Sequence, residues 1–228
     1  MNHDLSNLKI FSGSALKVIA VISMTIDHVA LYVLAGYLSM QDVWLYDVLR
    51  GIGRLAFPIF TFLVIEGFFH THNIVRYMAT LLIFALLSEI PWYLLRQCGS
   101  HNVLFTLLLG LIAVYLTDRI PKNCWLLPIP SLCMAALAAW INTDYSWHGI
   151  GLMIVFYLFH EKPYPYYLIG LPFLMEYGIT GTCLGILACL LYNGNRGFIR
   201  GKWLKYSFYL YYPLHLITIW LFLKEQFL

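Results

Sequence analysis

The sequence predicts an all-α fold, a polytopic integral membrane helix bundle of about nine spans. Three observations predict it. Of the 228 residues, 61% are hydrophobic and 11% are charged, and the mean hydropathy is +0.75. A soluble domain carries about 25% charged residues. Apolar stretches of membrane-spanning length recur along the chain. Basic residues gather in alternate connections between them, the asymmetry that orients a membrane chain.

In chain order, the spans fall near residues 15–38, 50–70, 74–95, 102–118, 124–141, 147–160, 164–176, 179–192 and 204–224. The middle ones are short, and spans six to eight can merge or re-enter, so roughly seven to ten is the range. Glycine and proline mark the joints at Gly99, Pro121, Pro163, Pro165, Gly178, Gly194 and Gly197. The segment Met1–Ser14 is polar and lacks a signal-peptide pattern, so the whole chain is expected to be retained. With the N-terminus in the cytoplasm, Lys9, Lys17, Arg76, Arg119, Lys122, Lys162, Arg196, Arg200, Lys202 and Lys205 fall inside. Arg50, Arg54, Arg96 and Lys224 fall outside, together with Asp42, Asp47, Asp144 and Glu176. Ten basic residues against four set the orientation.

The first span carries Asp27 and His28 near mid-bilayer, where ionisable groups cost about 2.5–3.5 kcal/mol each. His28 lies eleven positions after Lys17, about 1100° of helix, or about 20° from whole turns. The two share a face, with His28 roughly 16 Å deeper. Asp27 lies about 100° round the helix from His28, so its carboxylate is expected to pair across to another span. In span two, Pro58 frees the carbonyl of Arg54 and kinks the helix. Arg54 keeps its charge and needs a carboxylate, a phosphate or water; Asp27 and Glu89 are the candidate structural partners. Glu66 and His70 stack four residues apart, as a site or as an interfacial polar pair.

Glu89 precedes Pro91 near the outer end of span three, either as a solvated terminus or as the counter-ion of Arg54. Asn102 and Thr106 sit one turn apart, a spacing that suits helix-to-helix hydrogen bonds. Asp144 and His148 read as outer-loop residues. The run Tyr192-Asn193-Gly194-Asn195-Arg196-Gly197, followed by Arg200, Lys202 and Lys205, is either a phosphate site or a positive-inside anchor. The last span is rich in tyrosine, and Tyr211 and Tyr212 lie one turn before His215.

Metal-binding, P-loop, Rossmann and hydrolase-elbow patterns are missing from the sequence. The five cysteines form no C-x-x-C pair and read as packing residues. What remains is a membrane histidine reached along a helix face that begins with a lysine. Acyl transfer from a phosphorylated thioester suits that layout. Basic residues hold the anionic part, a slim arm extends down the channel, and His28 acts as general base or transient acyl carrier. Arg54, a tyrosine hydroxyl or Asn102 stabilises the oxyanion. The alternatives are a proton-coupled transporter using Asp27, His28, Glu66 and His215 as a relay, and a non-catalytic assembly factor. The lack of repeat symmetry counts against the transporter.

Lys17-x10-His28 resembles the Arg-x10-His signature of acyltransferase-three type membrane acyltransferases. Lysine in place of arginine meets phosphate as a point charge, without the bidentate fork. A longer resemblance is to the TraX family, membrane acetyltransferases named after the enzyme that N-acetylates F-pilin. It rests on Lys17-Val-Ile-Ala through Met24-Thr-Ile-Asp27-His28, on Ile52-Gly-Arg54-Leu-Ala-Phe-Pro58-Ile-Phe, on Glu66-Gly-Phe and on His70-Thr71. It continues through Ser88-Glu89-Ile-Pro91, Asn102-Val-Leu-Phe-Thr106, Tyr192-Asn193-Gly194, and Lys205-Tyr206 with Tyr209 and Tyr212-Pro213-Leu-His215-Leu. These blocks run from the first span to the last.

The resemblance implies one transmembrane acetyltransferase domain over residues 1–228, in the bacterial cytoplasmic (inner) membrane, with acetyl-CoA as donor substrate and no metal. The catalytic residues expected are His28, Asp27, Arg54 and His215. Donor binding is expected from Lys17, His70, Tyr192, Asn193, Arg196, Lys205, Tyr206, Tyr209 and Tyr212, and acceptor binding from Glu66, Glu89, Asn102 and Thr106. The acceptor is a protein N-terminal amine, a glycan or a lipid-linked sugar, with membrane lipid as the surrounding partner and no nucleic acid.

Overall fold

The computed structural model describes residues 9–37, 42–161, 169–175 and 178–226. Lys162, Pro163, Pro165, Glu176 and part of the expected span 164–176 lie outside the described residues.

The described chain is helical. α1 spans Gly13–His28 and runs on as a π-helical segment, Val29–Val33, and a 3-10 turn, Leu34–Gly36. Then come α2 (Val43–Gly53), α3 (Ala56–His70), α4 (Ile74–Arg96), α5 (Val103–Asp118), α6 (Ile129–Trp140), α7 (Ser146–Leu158), α8 (Ile179–Leu190) and α9 (Lys202–Gln226). Three stretches are long and apolar enough to cross a membrane: Gly13–Gly36 with 24 residues, Val43–His70 with 28, and Ile74–Arg96 with 23. The described part of span seven holds a 3-10 turn, Leu171–Phe173.

Polar side chains start several helices. Ser12 accepts from the Ala15 amide, Asn73 from Arg76 and Asn102 from Leu104, each satisfying an orphan N–H of a first turn. Two expected boundaries move. The second span begins at Val43 rather than near residue 50, and it is broken at Arg54–Leu55. Pro58 has no N–H to give the Arg54 carbonyl, and the chain answers with a break where a bend was expected. The fifth span begins at Ile129 rather than near 124, because Pro121 and Pro128 turn the chain first and Pro130 suits the opening of a helix.

The chain divides into two compact units, Met1–Leu63 with Lys162–Ser207, and Val64–Glu161 with Phe208–Leu228. In the first, α2 packs against α1 and α8. Ser23 on α1 donates to the carbonyls of Ile52 at 2.6 Å and Gly53 at 3.0 Å, which end α2 beside the break. Gly181 and Gly185, one turn apart on α8, let it press on the broken segment, as small residues do between membrane helices. A Cβ at Gly181 would overlap the Gly51 carbonyl and come within 2.6 Å of the Arg54 Cβ; one at Gly185 would meet Pro58 and, at 3.0 Å, the Leu55 carbonyl.

The loop after α8 is stitched to the start of α1. Gly13 and Ser14 donate their amides to the carbonyls of Asn195 (2.8 Å) and Arg196 (2.9 Å), supplying two orphan N–H groups of the first turn. The Ser14 hydroxyl donates to the Arg196 carbonyl and accepts from the Ile199 amide, both at 2.7 Å. Gly197 turns this loop at φ +83°, where a Cβ would run into Ser12 and Ser14.

In the second unit, α5 packs against α4, α6 and α7. Leu109, Ala113, Ala138 and Ile150 form a buried cluster there. Gly110 admits Met153 of α7 against the α5 backbone.

Candidate functional site

α1 is regular from Gly13 to His28, so the rotation that places Lys17 and His28 on one face holds in the structure. Both side chains are half-buried. His28 stands where the α-helix widens into the π segment Val29–Val33, a local form that recurs at functional sites. Its ring centroid lies 5.9 Å from that of Tyr32. Nothing in the apolar run Val29-Ala30-Leu31-Tyr32-Val33 signals the wider turn in the sequence.

At the head of the same helix, three cations from three segments converge. Arg196 and Lys205 lie close enough to Lys17 to repel its ammonium. Arg196 is brought there by the loop stitched to Gly13 and Ser14, and Lys205 by the first turn of α9. Tyr192 packs edge-on against Phe62 at 5.4 Å, the Asn193 amide donates to the Phe11 carbonyl at 2.9 Å, and the Asn193 side chain accepts from the Asn195 amide at 2.9 Å. The ammonium of Lys205 lies 6.0 Å from the Tyr206 ring. Six of the expected donor-binding residues therefore belong to this unit: Lys17, Tyr192, Asn193, Arg196, Lys205 and Tyr206. A cluster of like charges held by backbone hydrogen bonds is suited to a polyanion.

Asp27 does pair across to another helix, but with a different arginine from the one expected. Its Oδ2 lies 2.6 Å from Arg50 Nη1, with both side chains largely buried. Arg54 adds a weaker attraction to the same carboxylate. The reason is the break: Arg50 stays on the last turn of α2 facing α1, whereas Arg54 falls in the turn that follows, its stem against α8. Gly53 opens the space, since a Cβ there would overlap Asp27. The sequence places Arg50 on the outer side and assigns it no partner; its i, i+4 relation to Arg54 is the available signal.

In the second unit, Glu66 and His70 do form an i, i+4 pair, at 3.7 Å, and the His70 Nδ1 donates to the Glu66 backbone carbonyl at 2.8 Å. The closer partner of Glu66 is His160, at 2.7 Å, which the sequence did not flag. Glu89, expected either as a solvated terminus or as a counter-ion, has partners within its own unit. It bonds His101 at 2.6 Å and the Asn102 side-chain amide at 2.6 Å, because the first residues of α5 lie against the last turns of α4. Asn102 also donates to the Ala85 carbonyl of α4 at 2.9 Å, the bonding between helices that its spacing suits, whereas Thr106 donates to the Asp144 carbonyl in the turn before α7.

His215 is buried on α9. Its Nδ1 donates to the Tyr211 carbonyl at 3.0 Å, and its ring stacks on Tyr211 at 5.3 Å with Tyr212 at 5.5 Å. Tyr209 stacks on Phe84 at 5.1 Å and hydrogen-bonds Tyr77. His215, Tyr209, Tyr212 and His70 thus belong to the second unit, and His28, Asp27 and Arg54 to the first. Among the described residues, no three His, Cys, Asp or Glu side chains gather to hold a metal ion.

Comparison with known proteins adds family information. The family model described as TraX protein matches residues 12–223. The chain is 31% identical, over 244 aligned positions, to a protein of Dichelobacter nodosus named probable fimbrial assembly protein FimC, serogroup H1; the match covers 92% of this chain and 94% of that one. It is 28% identical over 155 positions to the uncharacterized protein RP591 of Rickettsia prowazekii (strain Madrid E), covering 64% of this chain and 56% of that one. No solved structure matches.

Proposed function

This chain belongs to the TraX family of membrane-embedded proteins, and on that premise we propose that it is an acetyltransferase using acetyl-CoA, with His28 at the reaction centre. The observation that carries the reading is the convergence of Lys17, Arg196 and Lys205 at the head of the helix that presents His28 on the Lys17 face. The cations hold the phosphates of the donor from the cytoplasmic side of the inner membrane. The thioester arm follows the face of α1 towards the imidazole, a reach of roughly 16 Å.

His28 takes the proton of an acceptor amine or hydroxyl as its nitrogen or oxygen bonds to the acetyl carbon. The C–S bond then breaks, and the proton passes to the departing thiolate. A cation such as Arg54 stabilises the oxyanion between the two steps. Asp27 is occupied by Arg50 and serves the scaffold. The relative named as a fimbrial assembly protein points to a subunit of a surface fibre as acceptor.

Calorimetry on the detergent-purified protein tests the donor half. Losing one charge-assisted phosphate contact costs about 1.5–3 kcal/mol, so Lys17→Ala or Arg196→Ala weakens CoA binding roughly ten- to hundredfold. His28→Ala abolishes acetyl transfer and keeps CoA binding. Full transfer in that variant removes His28 from the mechanism. Solute flux driven by a pH gradient, with no CoA binding, replaces the enzyme with a transporter.

A further inference from the structure

Within the second unit, a histidine with a carboxylate partner lies at the junction of α4 and α5. His101 Nδ1 lies 2.6 Å from Glu89 Oε1. A carboxylate only accepts, so Nδ1 donates to it, and in the neutral imidazole Nε2 is then the nitrogen with the lone pair. No described residue is hydrogen-bonded to Nε2, and the side chain is 43% exposed. The ring's orientation is held at every other point. Its backbone amide donates to the Asn142 carbonyl at 3.0 Å, and its carbonyl accepts from Asp144 at 2.8 Å. Phe105 packs edge-on against it at 5.4 Å. Glu89 is held in turn by the Asn102 side-chain amide on its other oxygen, at 2.6 Å, and Asn102 is completely buried. Carboxylate, imidazole and free outward nitrogen make an acid–base dyad with a supporting amide, the logic by which a carboxylate orients a histidine base.

We propose that Glu89 and His101 form an acid–base dyad that receives the proton of the incoming acceptor at the outer end of α4. The role rests on the acetyl-transfer reading and its cytoplasmic N-terminus. An amine acceptor arrives in water mainly as an ammonium, since α-amino groups titrate near 8. A charged amine is costly to carry into the bilayer and has no lone pair for attack. At the dyad, the ammonium N–H bond breaks, its electron pair stays on nitrogen, and the proton moves to Nε2. The imidazolium, facing Glu89, then releases the proton to outer water. His101 touches the substrate; Glu89 is a positioning residue. The other charged or titratable groups nearby in the chain are Tyr93 and Arg96 on the last turn of α4, Cys98 on the connection that follows, and Asp144, Tyr145 and His148 at and beyond the turn that anchors it.

Two model acceptors test this in nanodiscs supplied with acetyl-CoA at about pH 6.5, where glycine ethyl ester is mostly charged and trifluoroethylamine mostly neutral. His101→Gln keeps a donor for Glu89 and removes the base. It slows transfer to glycine ethyl ester by about 100-fold, barely affects trifluoroethylamine, and is rescued by added imidazole. Glu89→Gln shows the same split more weakly, and Glu89→Asp partly restores the rate. Equal loss with both amines, or no rescue by imidazole, overturns the proposal in favour of a structural pair. A wild-type protein that binds acetyl-CoA and acetylates neither amine overturns the dyad and leaves the donor reading standing. One that does not bind acetyl-CoA overturns both.

Discussion

A buried ion pair is worth little net, yet it is expensive to break. Asp27 and Arg50 leave only 14% and 17% of their side chains exposed, so each depends on the other to offset its desolvation. Removing one partner costs about 3–5 kcal/mol, because the remaining charge stays buried. Asp27→Asn and Arg50→Ala should therefore each lower the thermal unfolding midpoint in detergent, and the double variant Asp27→Leu/Arg50→Leu should be more stable than either. Single variants that melt like the parent would mean that the pair does not hold α1 to α2. At this scale the sequence was partly legible. The rotation between Asp27 and His28 showed that the two side chains part company. The partner was not legible, because Arg50 and Arg54 are one turn apart and equally placed until the break at 54–55 separates them.

The helices are joined by small residues as much as by apolar ones. Gly181 and Gly185 bring α8 against the carbonyls of Gly51 and Leu55. Such backbone approach is how membrane helices gain dispersion and weak hydrogen bonding without a hydrophobic driving force. Gly181→Leu or Gly185→Leu should destabilise the first unit by at least about 1–3 kcal/mol through overpacking. Leu184→Ala, on an exposed part of the same helix, should have little effect in the same melting experiment. Equal melting of all three would show that α8 is not docked by its glycines. The positions of the α-helices were largely readable from apolar runs and punctuation. The π segment after His28 was not, since its residues would suit an ordinary helix equally well.

For the molecule as a whole, the open variable is which end faces which compartment, and a thiol reports on it. Cys98 is exposed on the connection between α4 and α5. The Ser100 hydrogen bonds, helped by Arg96, hold its pKa below the ordinary thiol value. Its thiolate fraction near pH 7 is therefore raised, and maleimide should react with it faster than with a free thiol; that advantage fades as pH rises past about 8.5. In intact cells, a membrane-impermeant maleimide should label a variant retaining Cys98 alone, and one retaining Cys124 alone only after permeabilisation. The reverse pattern would invert the proposed topology. Composition, apolar length and helical period are properties of segments, so the sequence by itself determined the class, the all-α character and the face shared by Lys17 and His28. Tertiary structure alone decided that Arg196 and Lys205 join Lys17, that Arg50 answers Asp27, and that Glu89 turns to His101. Those partners are far apart in the chain, and which one meets which depends on where a helix breaks, widens or is stitched by a loop.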